Sequence, residues 1–247
     1  MKSIKGWGDW YVHPFTLLYL LMAFLADNLS NYLIALIIVC IHEYGHYYFA
    51  KKYHFEIDKV TVFPFGAFLS LEDYGLHHIV EEMIMLLGGL VTHFFIFIIF
   101  KFVWYQEYVL QVNQLILAFN LLPIYPLDGS KLFLLVLSLY IDYYRAIRIQ
   151  IKLSILTLAI LIINYHGLGY WLVAGYLIYI NYTYIKEFRY QIIRLYLQRM
   201  IKNPYQRPKI NYDYRFYRPY INYYIIDGHS DSEIHVLKQL IKNLKNS

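Results

Sequence analysis

The sequence predicts an all-α polytopic membrane protein with about six transmembrane helices, a small membrane-associated β-hairpin and a short cytoplasmic α/β tail. Three observations predict this fold class. Hydrophobic residues make up 59% of the 247 residues and charged residues only 16%, whereas soluble domains average about half and about a quarter. The mean hydropathy is +0.39. Aromatic residues reach 20% of the chain, with 29 Tyr and 16 Phe, as expected where many helix ends meet the boundary between water and lipid.

Apolar runs long enough to approach or cross a bilayer set the expected number of helices. Residues 1–11 lack the cleavage pattern of a signal peptide, so we expect no cleaved leader. A shorter apolar run at 131–140 indicates a re-entrant or interfacial segment. The predicted spans are 12–26, 29–50, 80–104, 108–120, 149–163 and 168–185. The third contains the small pair Gly88-Gly89, which would let another helix approach closely.

The positions of Lys and Arg indicate the orientation in the membrane. With a cytoplasmic N-terminus, the inside segments are 1–11, 51–78, 123–152 and 186–247. They hold 21 of the 22 basic residues, and only Lys101 lies outside them. Cytoplasmic loops carry such an excess of positive charge. We therefore expect a multi-pass membrane protein with both termini in the cytoplasm.

Two segments are not typical of membrane helices. Residues 60–71 are β-branched and aromatic and are interrupted by Pro64 and Gly66, which predicts two short strands with a turn between them. The chain after residue 187 is basic and rich in Tyr. The pattern of its last part predicts a strand at 223–226, a turn at Asp227-Gly228 and an amphipathic helix at 232–244. Asp231 or Ser232 is expected to cap this helix. We therefore expect a membrane-embedded domain at 1–187 and a cytoplasmic tail at 188–247.

The segment His42-Glu43-Tyr44-Gly45-His46 in the second predicted span has the H-E-x-x-H pattern. On a helix, residues i and i+4 share a face, so both imidazoles can bind one Zn²⁺ while the Glu accepts a proton from metal-bound water. The alternative is a pair of core histidines and an unrelated acid. An ionised Glu inside a membrane span costs about 3 kcal/mol, and a metal supplies the partner that these groups need.

Catalytic zinc commonly has three protein ligands and one open position. Asp128 is the candidate for the third ligand, because it lies in a segment interrupted by Pro and Gly, and unwound backbone at membrane depth is tolerated beside a polar cavity. The weaker candidates are His93, interpreted as a core or hydrogen-bonding residue, the acids Glu72, Asp73, Glu81 and Glu82, and Cys40, the only cysteine, interpreted as core filler.

Two separated motifs occur in order along the chain, HEYGH at 42–46 and NLLPIYPLDG at 120–129. Together they resemble the site-2 protease family of intramembrane zinc metalloproteases, and within it the stage IV sporulation protein FB type. VHPF at 12–15 and FPFG at 63–66 add to the resemblance, which covers residues 10 to 190 or so.

The resemblance implies a role for each matching residue. His42, His46 and Asp128 would hold zinc, and Glu43 would be the general acid and base. Asn120 would hydrogen-bond the substrate or steady the oxyanion. The hairpin would present a strand edge to an extended substrate. The expected substrate contacts are Phe65, Gly66, Ala67, Pro123 and Pro126.

The resemblance also implies a substrate and partners. Members of the sporulation type remove a membrane-associated pro-sequence from a sigma factor of the pro-sigma-K type, in the mother-cell membrane around the forespore. Regulatory membrane proteins inhibit them. This chain departs from the type in two places. Residues 188–247 are at most a truncated remnant of the nucleotide-sensing CBS domain, which puts nucleotide sensing in doubt, and Ser130 stands where a second Gly is common.

Other functions remain open at this point. The chain could be a proteolytically inactive zinc-binding regulator, or a metal transporter with a path formed by His42, Glu43, His46 and Asp128. The presence of Glu43 and the position of these groups toward the cytoplasmic side favour the protease. Basic residues interleaved with Tyr at 189–218 are also typical of nucleic-acid binding. Contact with anionic inner-leaflet lipid explains the same composition, so we expect no nucleic-acid partner.

Overall fold

The computed structural model describes residues 4–5, 10–63, 66–104, 106–164, 168–202, 207–226 and 228–246. Within them, the chain forms helices and two small sheets. The helices are α1 (Pro14–Leu25), α2 (Leu29–Lys52), α3 (Ile79–Ile98), α4 (Glu107–Asn120), α5 (Asp128–Tyr140), α6 (Tyr143–Asn164), α7 (Leu168–Ile201) and α8 (Glu233–Asn246), with a π-helical turn at Ile99–Val103. The strands are β1 (Ile4–Lys5), β2 (Trp10–Val12), β3 (Ile57–Phe63), β4 (Gly66–Leu71), β5 (Arg207–Asn211), β6 (Tyr220–Ile226) and β7 (His229–Asp231).

The chain divides into two compact units. The first comprises Met1–Tyr74 and Val80–Phe119, and the second comprises Gly75–Ile79 and Asn120–Ser247. The first unit therefore holds the strands β1 to β4 and almost all of α1 to α4. The second holds α5 to α8 and the remaining strands. The domain boundary that the sequence places at residue 187 stays a prediction.

The first unit contains a four-stranded sheet in the order β1-β2-β3-β4. β3 and β4 form the antiparallel hairpin that the sequence predicts, with Phe63 opposite Gly66. Pro64 and the predicted substrate contact Phe65 lie outside the described residues. The sheet is larger than the expected hairpin, because β2 pairs in parallel with β3 and β1 pairs antiparallel with β2. The pairing of β2 with β3 joins distant parts of the chain, so it leaves no local sequence pattern.

α1 begins where the sequence provides a cap. His13 has an extended backbone, and its Nδ1 accepts a hydrogen bond from the Phe15 N–H at 3.3 Å. Pro14 occupies the first helical position, where the missing N–H costs nothing. The Thr16 hydroxyl donates to the carbonyl of Val62 at 2.9 Å, and the His13 backbone N–H donates to the same oxygen. These bonds tie the start of α1 to β3.

The helices of the first unit combine a small buried core with an exposed apolar surface. Ile38 of α2, Ile96 of α3 and Val109 of α4 pack together. On the outer side of α3, Phe94 and Phe95 are 63% and 58% exposed. A surface with so many exposed apolar side chains is typical of helices that face lipid.

Three helices in the described part of the chain are long and apolar enough to cross a membrane: Leu29–Lys52, Ile79–Phe102 and Tyr143–Ile163. α1 is apolar but shorter. α4 and α5 have 14 and 13 residues, fewer than the about 20 that a crossing needs. Three of the six expected spans thus form helices that could cross a membrane, which supports the predicted membrane character. The other three stay predictions.

In the second unit, the helices share a hydrophobic core with the tail. Ala146 of α6 and Ile192 of α7 lie in one cluster of buried residues with Phe216 and with Leu237 of α8. α7 is a continuous helix of 34 residues, so it connects the apolar part of this unit to its basic end. The tail therefore folds as part of the second unit.

The tail contains a three-stranded sheet in the order β5-β6-β7. The predicted strand at 223–226 is the second half of β6, while β5 and β7 were not expected from the sequence. The predicted amphipathic helix is α8, and the Ser232 hydroxyl oxygen accepts a hydrogen bond from the His235 N–H at 3.3 Å. Of the predicted turn, Asp227 lies outside the described residues, and Gly228 has a φ of 80°, which glycine adopts readily.

A buried ion pair fixes the end of α7 to the tail. The Arg199 Nε donates to the Glu233 carboxylate at 2.7 Å, and the same guanidinium donates to the carbonyls of Arg218 and Tyr220. The second Glu233 oxygen accepts the backbone N–H of Asn222 at 2.5 Å. Burial lowers the pKa of Arg199 against the opposing effect of the Glu233 charge. The guanidinium stays protonated at neutral pH, so each charge needs the other.

Removing one partner of this pair should open the tail. Breaking a buried ion pair costs about 3–5 kcal/mol because it leaves an uncompensated charge. We expect Glu233→Ala to accelerate amide hydrogen exchange in β6 and α8 about 100-fold or more. The measurement is hydrogen exchange with mass spectrometry on the full chain in detergent micelles.

Arg215→Ala is the matched control, because Arg215 pairs with Asp213 at 3.1 Å while both side chains are 45% exposed. An exposed pair contributes about 0–1 kcal/mol, so exchange should change less than about tenfold. Similar small effects of Glu233→Ala and Arg215→Ala would show that the buried pair does not hold the tail.

Candidate metal centre

α2 brings two imidazoles to one place. His42 and His46 are four residues apart on this helix, so their side chains share one face. Each is only 3% exposed. Their Nε2 atoms lie 3.0 Å apart, and the two rings are nearly perpendicular. Two ring nitrogens that converge in this way can serve as ligands of a single metal ion.

The other nitrogen of each imidazole is held by α3. The His46 Nδ1 lies 2.9 Å from the carbonyl oxygen of Met85. The His42 Nδ1 lies 3.0 Å from the Nε2 of His93, which is itself fully buried. The carbonyl oxygen of Met85 can only accept, so the His46 Nδ1 carries the proton and its Nε2 presents a lone pair. Metal-binding histidines are commonly oriented through their second nitrogen in this manner.

Glycines allow α2 and α3 to approach closely enough for these contacts. A Cβ at Gly45 would meet the backbone of Gly88 and would lie 2.7 Å from the Thr92 methyl carbon. A Cβ at Gly89 would run into the His46 ring and would lie 2.9 Å from the Cε1 of His42. The Gly88-Gly89 pair therefore allows another helix to approach closely, as predicted, and that helix is α2.

Asp128 is the first residue of α5 and is 5% exposed. Lys131, one turn later, places its Nζ 3.3 Å from a carboxylate oxygen of Asp128. A carboxylate at this position also faces the positive end of the helix dipole. Positive charge thus lies beside the carboxylate, whose ionised form can bind a metal.

Buried polar contacts from α6 and α7 hold the segment that precedes Asp128. The Ser154 hydroxyl oxygen accepts the Tyr125 N–H at 3.0 Å, and the hydroxyl donates to the Asn181 side chain at 2.6 Å. Asn181 closes the loop of bonds by donating to the Tyr125 carbonyl at 2.7 Å. Gln150 donates to the hydroxyl of Ser130. These polar residues lie among apolar ones, and the sequence reading did not single out Gln150, Ser154 or Asn181.

His42, His46 and Asp128 form one group of potential ligands. One ligand atom from each lies within 4.8 Å of the others, and all three residues are buried. Two imidazole nitrogens and one carboxylate oxygen are a donor set that zinc prefers, and it leaves a fourth position open. The residues that the sequence predicts as ligands are therefore suited to zinc.

The weaker candidates are absent from this group in the described part of the chain. His93 makes hydrogen bonds, as its interpretation from the sequence has it. Asp73 accepts the backbone N–H of Glu56 at 3.0 Å. Cys40 is partly buried and lines an apolar pocket of about 350 Å³.

The remaining predicted site residues occupy three elements. Glu43 follows His42 on α2 and is partly buried, and Asn120 is the last residue of α4. The substrate contacts predicted in the hairpin, Gly66 and Ala67, begin β4 and are buried, while Phe65 lies outside the described residues. Pro123 and Pro126 lie between α4 and α5 and are partly buried. The roles of all these residues stay predictions.

Comparison with known proteins agrees with the motifs. No protein-family model matches the chain. Stage IV sporulation protein FB of Bacillus subtilis is 30% identical over 153 residues, which are 59% of this chain and 53% of that protein. Zinc metalloprotease MJ0392 of Methanocaldococcus jannaschii is 26% identical over 134 residues, which are 50% of this chain and 39% of that protein.

The solved site-2 protease from Methanocaldococcus jannaschii has a similar fold. Its TM-score is 0.50 at 21% identity, and the match covers 73% of this chain and 90% of that one. The resemblance to site-2 proteases is confirmed. The match to Stage IV sporulation protein FB spans about half of that protein, so the activity and partners of the whole relative are considered below as proposals.

Adding a methyl group at Gly89 should damage the candidate metal centre. The new Cβ overlaps the His46 ring and crowds His42, so one imidazole must turn away from its partner. We expect Gly89→Ala to weaken zinc binding about tenfold or more, the scale of losses when ligand orientation is disturbed. The measurement is competition with a chromogenic chelator on the purified full chain.

Gly175→Ala is the control, because a Cβ at Gly175 would meet nothing within 4 Å. It adds the same methyl group to a helix and should leave zinc affinity unchanged. Wild-type zinc affinity in Gly89→Ala would contradict the described packing of α2 against α3.

Proposed function

We propose that this protein is an intramembrane zinc endopeptidase that cuts a membrane-associated protein substrate. The observation that carries the proposal is the buried group of His42, His46 and Asp128, with Glu43 adjacent to His42 in the chain. α2, which supplies both imidazoles, is long and apolar enough to cross a membrane. The confirmed similarity to site-2 proteases supports the same chemistry.

The proposed reaction is hydrolysis of a peptide bond. Zinc, when bound, lowers the pKa of a bound water and polarises a carbonyl group. Glu43 accepts the proton of the attacking water and later gives it to the leaving amine. Asn120 donates its side-chain N–H to the carbonyl oxygen of the peptide that is cut.

The substrate is proposed to bind in an extended conformation. A peptide bond inside a helix is shielded by the helix's own hydrogen bonds, so the segment must unwind before it is cut. β4 lies at one end of the strand order and pairs, among the described residues, with β3 alone. An extended segment can add to such an edge through backbone hydrogen bonds. We assign substrate contact to Phe65, Gly66, Ala67, Pro123 and Pro126.

The biological substrate is proposed from the similarity to Stage IV sporulation protein FB. We assign to this chain the removal of a membrane-associated pro-sequence from a sigma factor of the pro-sigma-K type. The proposed location is the bacterial cell membrane, with both termini in the cytoplasm, and in a sporulating cell the mother-cell membrane around the forespore. The proposed partners are regulatory membrane proteins and anionic inner-leaflet lipid, which the basic residues of segment 186–247 support.

Loss of the Glu43 carboxylate should abolish cleavage while the metal site remains. Gln has the same shape as Glu but cannot take a proton from water, so we expect Glu43→Gln to reduce cleavage at least about 100-fold, the usual scale of general-base catalysis. The assay is co-expression in bacteria with a tagged pro-sigma-K-type substrate, followed by immunoblotting and measurement of bound zinc.

Glu107→Gln is the matched control, because Glu107 is exposed at the start of α4 and is distant in sequence from both motifs. It should cut like the wild type. Equal cleavage by Glu43→Gln and the wild type would exclude Glu43 as the acid and base. Zinc binding by the wild type without cleavage of this substrate would contradict the sigma-factor proposal, and transport of zinc into vesicles would then favour a transporter.

A further inference from the structure

His93 and Asn113 form a chain of hydrogen bonds behind His42. His93 of α3 is fully buried and Asn113 of α4 is 1% exposed. The Asn113 Oδ1 lies 2.7 Å from the His93 Nδ1, and the Asn113 Nδ2 donates to the backbone carbonyl of His93 at 3.1 Å. The His93 Nε2 then lies 3.0 Å from the His42 Nδ1.

The direction of every proton in this chain follows from one backbone carbonyl. The carbonyl of His93 can only accept, so the Asn113 amide turns its NH₂ group toward it and its Oδ1 toward the imidazole. The Oδ1 can only accept as well, so the His93 Nδ1 carries a proton. A neutral His93 then has a lone pair on Nε2, and the His42 Nδ1 must donate to it. The lone pair of His42 is thereby left on Nε2, which faces the Nε2 of His46.

We propose that His93 and Asn113 are positioning residues that fix the tautomer and the ring orientation of His42 for zinc. This inference rests on the proposed function, since it concerns the same metal site. Both nitrogens of His93 are engaged by protein atoms, so His93 acts on His42 rather than as a ligand. On the other side of the site, the carbonyl of Met85 does the same for His46.

A purely structural role does not account for the buried polar side chains of His93 and Asn113. An imidazole and an amide have been placed where α2, α3 and α4 otherwise pack through Ile38, Ile96 and Val109. Buried polar groups cost free energy unless they are bonded, and apolar residues would fill the same space at lower cost. The polar pair is explained if it holds His42 in its metal-binding form.

The test compares two substitutions at each position in the purified full chain. Gln at position 93 can present its Oε1 to the His42 Nδ1 and replace the acceptor, whereas Leu cannot. We expect His93→Leu to weaken zinc binding about 10- to 100-fold, the range for losing such an outer partner. His93→Gln should stay within about threefold of the wild type, well below that range. Asn113→Asp keeps an acceptor for the His93 Nδ1 and should likewise bind more tightly than Asn113→Leu.

Two readouts besides activity decide the outcome. One is zinc affinity by chelator competition, and the other is the visible absorption of the cobalt-substituted protein, which reports ligand geometry. Thr157→Val, which removes a hydroxyl bonded to the Leu153 carbonyl within α6, controls for the loss of a polar group from an apolar helix.

The possible results separate this inference from the proposed function. Equal losses with Leu and Gln at position 93, and with Leu and Asp at position 113, would mean that the pair only supports packing, and would overturn the inference. Wild-type affinity in His93→Leu would overturn it as well. A wild-type protein that binds no zinc would contradict the proposed function itself.

Discussion

The structure depends on the burial of the His42 and His46 imidazoles between α2 and α3. The two helices lie so close together that three of the contact positions have no room for a Cβ. Gly45, Gly88 and Gly89 remove the Cβ atoms that would separate α2 from α3. Both rings are buried, so each imidazole must bond through its nitrogens to avoid the cost of an unsatisfied polar group. α3 supplies one partner to each ring, at Met85 and at His93. The remaining nitrogens converge, an arrangement that suits a metal ion.

A second constraint concerns Asp128. The segment before it is irregular, and irregular backbone in an apolar setting needs its polar groups satisfied by side chains. Ser154 and Asn181 do this at Tyr125 through three linked hydrogen bonds. The predicted ligand and its support are therefore supplied by different elements: α5 carries the carboxylate, while α6 and α7 fix the backbone that leads to it.

Local patterns in the sequence predicted the features that local chemistry determines. The i and i+4 spacing of His42 and His46 predicted a shared helix face, the Gly88-Gly89 pair predicted a close helix contact, and the β-branched run predicted the hairpin of β3 and β4. Pro123 and Pro126 before Asp128, with Gly129 after it, indicated an unwound segment. Each of these signals lies within a few residues of the feature that it predicts, which is why it can be found without a structure.

Features that depend on distant pairing could not be predicted. β2 pairs with β3 across α1 and α2, and β5 pairs in parallel with β6. Neither β2 nor β5 has an alternating pattern of its own. The bond between His93 and Asn113 joins two helices through residues that are 20 positions apart. A lone polar residue in an apolar helix does not reveal its partner. The number of membrane crossings stays a prediction for a different reason, because α4 and α5, with 14 and 13 residues, are shorter than the about 20 residues of a full crossing.

X-ray absorption at the zinc edge of the purified full chain measures directly whether His42, His46 and Asp128 hold one zinc ion. We expect one zinc per chain, two imidazole nitrogens at about 2.0–2.1 Å and oxygen ligands at about 2.0–2.2 Å. We also expect Asp128→Asn to alter the oxygen contribution and to leave both imidazoles in place. A chain without bound zinc, or a spectrum that shows three imidazoles and does not change in Asp128→Asn, would contradict this ligand assignment.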